Sequence, residues 1–124
     1  MSWVKLDDQM PDDGKVSNLS DAAFRAYVMA ICFSARMLTD GQVPVGTAVK
    51  MVGGRTPQKI LTELTPTLWH SPGDECASEH CHQANICNLE PGYYLIHNYL
   101  KYNPTRAYTL AKRERDNKRK GRGV

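Results

Sequence analysis

Between positions 20 and 38 apolar side chains recur at helical spacing, and this stretch constrains the fold more than any other part of the chain. Phe24, Val28, Ile31 and Ala35 form one row and Tyr27, Ala30, Ser34 and Leu38 its neighbour, which gives a broad stripe on one side of a helix. Ser20 is placed to cap the N-terminus, with Asp21 in the first turn where a negative charge suits the helix dipole. Thr39-Asp40-Gly41 ends the helix, because glycine accepts the left-handed backbone of a helix C-terminus. The expectation is a long central helix with Phe24, Tyr27, Val28 and Ile31 as its core.

That stripe needs partners, and the following residues supply short ones. Residues 42–44 read as a brief extended link around Val43, and residues 46–52 as a short helix closed by Gly53-Gly54. Thr56-Pro57 then opens another helix through Leu64, with threonine as N-cap and proline at the first helical position. Two short helices around a tight glycine turn form a helix-turn-helix pattern. Residues 67–70 and 93–97, rich in large side chains, read as strands near Leu68 and Tyr94. A strand pair after a helix-turn-helix is a wing, so the fold class expected is α+β, mainly helical: a winged helix-turn-helix with a Cys/His-rich insertion, residues 71–92, in the wing. Residues 3–6 read as an extended segment, 7–14 as an acidic loop, 15–19 as one helical turn and 98–104 as a connector. Thr105 caps a polar helix, which divides the chain into a winged-helix domain at 1–104 and a basic C-terminal helical or disordered tail at 105–124.

Charge separates the same two parts. The net charge of +3 is made of 9 Lys/Arg against 11 Asp/Glu in residues 1–111 and 7 Lys/Arg against 2 Asp/Glu in residues 112–124. With 41% apolar and 23% charged residues, most of the chain has the balance of a folded protein. Arg25, Ser34 and Arg36 interrupt the longest apolar stretch, which rules it out as a membrane span. Residues 1–13 are acidic and lack the order of a signal peptide. A cytoplasmic protein is expected, in which the four cysteines serve as core residues or metal ligands and not as disulfides.

Three groups of residues carry candidate chemistry. Arg55, Thr56, Gln58, Lys59 and Thr62 form the polar face of the second short helix, which in a helix-turn-helix lies in the major groove of double-stranded DNA. Arginine and glutamine suit base edges there, and lysine and threonine suit phosphates; the plain alternative is a helical pair facing water. Lys112, Arg113, Arg115, Lys118, Arg119, Lys120 and Arg122 form a dense cationic run, fit either for a polyanion or for solubility alone. Cys76, His80, Cys81, His82 and Cys87 crowd the insertion, a composition that suits one structural tetrahedral zinc formed by the three cysteines with His80 or His82, and His70 as a spare. A metal-free loop is the alternative. Cys32 reads as a core residue and His97 as a packing or capping residue. No phosphate loop or nucleophile elbow is present, and the acidic pairs Asp7-Asp8 and Asp12-Asp13 fall in a polar loop, so the expectation is a non-enzymatic protein.

The blocks W-V-K-L-D-D at 3–8, L-S-D-A-A-F-R-A-Y at 19–27, L-T-D-G at 38–41 and G-Y-Y-L-I-H-N-Y-L-K-Y-N-P at 92–104 resemble small actinobacteriophage proteins. The pattern is similar to the N-terminal winged-helix domains of phage replisome organisers and replication initiators. The resemblance implies DNA binding in replication or transcription control within a bacterial host cell. The Cys/His-rich insertion is not part of the shared pattern. The competing reading is a winged-helix protein-interaction module that binds a host or phage replication or transcription protein.

Overall fold

Small side chains decide how the central helix packs. In the computed structural model, which describes residues 3–122 and side chains as far as Lys120, α1 (Gly14–Ser17) leads into the long α2 (Asp21–Met37). Ser20 caps α2 as expected, its Oγ accepting from the Ala23 amide at 3.2 Å. Ala23, Ala26 and Ala30 are fully buried with Ile31 and Ser34, and this narrow face lets α3 (Val45–Val52) and α4 (Pro57–Leu64) approach closely. The expected core face is thereby corrected: Phe24 is 37% exposed, and Tyr27, Val28 and Ala35 are only half-buried. A wide apolar arc leaves the choice of buried face to the partner helices, which here select the row with the least bulk.

Leu38, at φ 57°, is the left-handed residue that stops α2, three positions before Gly41. Gly41 itself has φ +94°, and a Cβ there would lie 3.0 Å from Cβ of Tyr99. Ser34 fastens this corner from inside. Its Oγ accepts from the Gly41 amide at 2.7 Å and lies 2.7 Å from the Thr39 hydroxyl. Because Thr39 gives its one proton to the Gln42 carbonyl at 2.6 Å, Ser34 must be the donor to Thr39.

The corner delivers the chain into β1 (Gln42–Pro44), and α3 and α4 follow around Gly53 and Gly54, at φ 66° and 77°, a conformation that glycine adopts without steric penalty. Arg25 of α2 donates to the Val52 carbonyl at 3.0 Å, placing a cation at the C-terminus of α3 where the helix dipole favours it. Glu63 of α4 accepts from the amide and hydroxyl of Ser20 at 3.1 and 2.8 Å and ties α4 to the start of α2. Thr56 is the N-cap of α4, although its side chain makes no capping hydrogen bond.

Two strands close the arrangement, β2 (Trp69–His70) and β3 (Tyr93–Ile96). The sheet is antiparallel with order β1-β3-β2, Val43 facing Tyr94, and Trp69 and His70 facing Ile96 and Leu95. Trp69 is fully buried beside Tyr94, with ring centroids 5.5 Å apart. The segment between β2 and β3, the expected Cys/His-rich insertion, contains α5 (Glu79–Gln83) and a 3-10 turn at Ile86–Asn88. It has a small core of its own, in which Cys81, Ala84, Ile86 and Leu89 close over Leu95. The expected connector after β3 likewise holds one helical turn, α6 (Tyr99–Tyr102), packed against α5. Helix α7 (Arg106–Arg122) follows, capped by Thr105, whose Oγ1 accepts from the Tyr108 amide at 3.1 Å. No helix among the described residues is long and apolar enough to cross a membrane.

Candidate functional site

Strand register brings two histidines together. Leu95 lies opposite His70, so His97, two residues further on and just past the end of β3, falls on the same face of the sheet as a diagonal neighbour of His70. The two rings meet edge to face, with His70 Nε2 2.9 Å from His97 Nδ1. The insertion then folds two thiols onto the same point. Cys76 Sγ, from the loop after β2, and Cys81 Sγ, from α5, each lie 3.5 Å from His97 Nδ1. The four donor atoms of His70, Cys76, Cys81 and His97 all lie within 4.8 Å of one another, and the group could hold a metal ion.

Hydrogen bonding alone accounts poorly for this convergence. A single imidazole nitrogen offers either one proton or one lone pair, yet Nδ1 of His97 has three polar neighbours at 2.9, 3.5 and 3.5 Å. A cation at the centre of the group satisfies all four donors at once. The outer contacts suit thiolates as well. The Ser78 amide points at Cys76 Sγ at 3.5 Å and the Asn98 amide at Cys81 Sγ at 3.4 Å, both as donors to sulfur. The hydroxyl of Ser78 and the side-chain oxygen of Asn98 meet beside them, linking the two segments that carry those amides.

Burial sets the protonation states. Desolvation lowers the pKa of His70 below the usual imidazole range, and it does the same to His97 with help from His70 and Lys15. Both rings are therefore neutral at pH 7, the form in which imidazole binds metals. Burial pushes the Cys81 thiol up to about 11, so a metal has to displace its proton.

Of the ligands expected from sequence, the structure places Cys76 and Cys81 in this group and His80, His82 and Cys87 outside it. Cys87 is exposed, with its sulfur 3.8 Å from Nδ1 of His82, and His80 lies 3.7 Å from Glu79. The helical geometry of α5 explains the separation: Cys81 faces the sheet, fully buried, while His82, the next residue, is exposed. His70, the spare, becomes a member. His97, read as a packing residue, is the member that sequence reasoning missed; its signal was a histidine at the end of each of two paired strands.

The other expected residues lie elsewhere. Arg55, Thr56, Gln58, Lys59 and Thr62 are all exposed around the start of α4, and the Thr62 hydroxyl donates to the Gln58 carbonyl at 2.8 Å. On α7, Lys112, Arg113, Arg115, Lys118, Arg119 and Lys120 are exposed, with Lys118 3.3 Å from Glu114 and Arg119 3.5 Å from Asp116. The side chain of Arg122 lies outside the described residues. No protein-family model, curated protein or solved structure matches the chain.

Proposed function

We propose that the protein is a winged-helix DNA-binding protein whose wing is held by one structural zinc ion. The observation that carries the reading is the order of elements: α2, β1, α3, α4, β2, a long insertion and β3, with β3 inserted between β1 and β2 in the sheet. In that arrangement α3 and α4 form the helix-turn-helix, and the insertion between β2 and β3 is the wing. Helix α4 enters the major groove with Arg55 and Gln58 at base edges, and Thr56, Lys59 and Thr62 engage phosphates. The exposed cations of α7 add attraction to the phosphate backbone that does not depend on sequence. The sequence resemblance to phage replication proteins supports replication or transcription control as the process served, in a non-enzymatic role.

Zinc is the ion that best suits the donor set. Bond lengths of roughly 2.3 Å to sulfur and 2.05 Å to nitrogen in a tetrahedron put sulfur and nitrogen ligands about 3.6 Å apart. The two Cys–His97 separations are 3.5 Å, and the two imidazole nitrogens at 2.9 Å need to part by only a few tenths of an ångström. Two thiolates and two imidazoles fill the shell and leave no position for water or substrate, so the ion braces the fold.

Titrating labelled duplex at low and moderate salt tests the DNA reading. Affinity is expected to fall steeply with salt, and Arg55→Ala or Gln58→Ala to lose sequence preference at a cost of about 1–3 kcal/mol. Deleting residues 112–124 should weaken all sequences about equally. No duplex binding at low salt overturns the proposal in favour of a protein-interaction module. Zinc content of the purified protein tests the metal: one equivalent is expected, and less than a tenth of an equivalent in protein prepared with zinc refutes that part alone.

A further inference from the structure

A second surface, remote from α4, joins exposed aromatic rings to unpaired cations. The extended segment at the start of the described chain is pinned across the molecule by Asn103, whose Oδ1 accepts from the Lys5 amide at 3.0 Å and whose Nδ2 donates to the Lys5 carbonyl at 3.5 Å. That fastening lays Trp3 along a groove of about 550 Å³ between the end of α2 and α7. Three of the rings lining it stand in water: Trp3 is 85% exposed, Tyr108 56% and Tyr102 38%. Aromatic side chains of this size normally bury most of their area. Tyr102 has a partner already, with Lys101 Nζ 5.2 Å from its ring centroid and its hydroxyl donating to Asp7 at 3.2 Å, which leaves Trp3 and Tyr108 as the open faces.

The charges beside the rings narrow the choice of partner. Lys5, Arg106, Lys112 and Arg113 line the same groove, and among the described residues none of them forms an ion pair with a carboxylate. The two acids present are already engaged, Asp40 accepting from the Arg106 amide at 2.6 Å and Asp116 lying 3.5 Å from Arg119. A ligand for this groove therefore presents flat apolar faces together with negative charge. Unpaired nucleotides do both, their bases stacking on the rings while phosphates meet the cations. A duplex does not, because its base faces are covered by their neighbours.

We infer that the groove between α2 and α7 binds single-stranded nucleic acid, with bases stacked on Trp3 and Tyr108 and phosphates held by Lys5, Lys112 and Arg113. The site is separate from the duplex-reading helix and stands or falls independently of it. Arg55→Ala and Gln58→Ala leave it intact, whereas Trp3→Ala and Tyr108→Ala leave α4 untouched.

Tryptophan fluorescence of the full chain provides the test, since Trp3 is exposed and Trp69, the other tryptophan, is fully buried. Oligothymidylate and oligouridylate are titrated as the DNA and RNA arms, with polyglutamate as a polyanion that lacks bases and with a blunt duplex. The expected result is quenching of the exposed emission by one or both single strands, with Trp3→Ala and Tyr108→Ala each weakening binding about tenfold by anisotropy. Arg113→Ala should weaken binding and flatten its salt dependence by about one phosphate contact. Response in a single arm identifies the sugar that the groove prefers. An unchanged Trp69 emission in the variants shows that they remain folded. Binding by neither strand, equal quenching by polyglutamate or duplex, or undiminished affinity in folded Trp3→Ala and Tyr108→Ala proteins overturns the inference.

Discussion

If zinc occupies the group of His70, Cys76, Cys81 and His97, removing the four donors one at a time should produce unequal losses, and the order follows from where each sits in the chain. A metal held by His70, Cys76, Cys81 and His97 closes successive loops of about six, five and sixteen residues. The chain-entropy relation used for cross-links gives roughly 2 kcal/mol for each short loop and about 3 kcal/mol for the long one, near 7 kcal/mol together. His97→Ala opens the long loop outright and forfeits about 3 kcal/mol. Cys76→Ala merges two short loops into one of about eleven residues and forfeits only about 1.5 kcal/mol, provided that three ligands still hold the ion. The measurement is urea denaturation of each variant with zinc and with chelator, reading only the zinc-dependent increment so that lost packing cancels. Zinc content has to be verified for every loaded sample. His82→Ala and Cys87→Ala should retain the full increment, because neither side chain belongs to the group. Equal losses for His97 and Cys76, or a loss in the Cys87 variant as large as in either, would falsify this account of the centre.

Three further outcomes are expected. Ser34→Ala should destabilise the chain by about 1–3 kcal/mol in chemical denaturation, because it leaves the buried Gly41 amide without its acceptor. Gly41→Ala should cost about 2 kcal/mol, since alanine is strained at φ +94° and its Cβ would press on Tyr99, and thermal unfolding would register it. Metal-free protein should lose stability on acidification below pH 6.5. His70 and His97 have lowered pKa values in the fold, so the unfolded chain binds more protons there and each histidine contributes a loss of up to about 1.4 kcal/mol per pH unit until its folded pKa is passed. A flat profile between pH 7 and 5 would show that the two rings are not buried neutral.

The fold was legible wherever the backbone responds to local chemistry. Ser20 caps α2 and Thr105 caps α7 through their own hydroxyls, and Gly53-Gly54 turns the chain between α3 and α4. The strand pair expected near Leu68 and Tyr94 announced itself by large side chains and is present as Trp69–His70 and Tyr93–Ile96. The buried face of α2 was not legible in the same way. The two expected rows and the adjoining row of Ala23, Ala26 and Ala30 are all largely apolar, and the preference for the last arises from how near α3 and α4 must come, a property of the assembled core. Leu38 shows a similar limit: its left-handed backbone is supported by the Ser34–Thr39–Gly41 network, so the helix ends before the glycine that the sequence offers for the purpose.

The metal group shows why composition can point to a ligand and still select the wrong atoms. Five Cys and His residues within residues 76–87 dominate the local sequence, but helical geometry turns Cys81 inward and His82 outward. The missing donors come instead from the two strands that enclose the insertion, and only the pairing of His70 with Leu95 reveals that His97 shares their face. Register carries the information because a shift of one residue would send His97 to the opposite face and dissolve the group. The dependence would also run the other way: an ion bound to His70 on β2 and to His97 just past β3 would hold that register and tie both strands to α5 through Cys81. The small core of the insertion, Cys81, Ala84, Ile86 and Leu89 over Leu95, lies on the same side of the sheet as the four donors, so a cation held there would close the same segment as the apolar contacts. The larger core, built on α2, α3 and α4, draws on none of the four ligands, and its helices are held by contacts that a chelator does not reach.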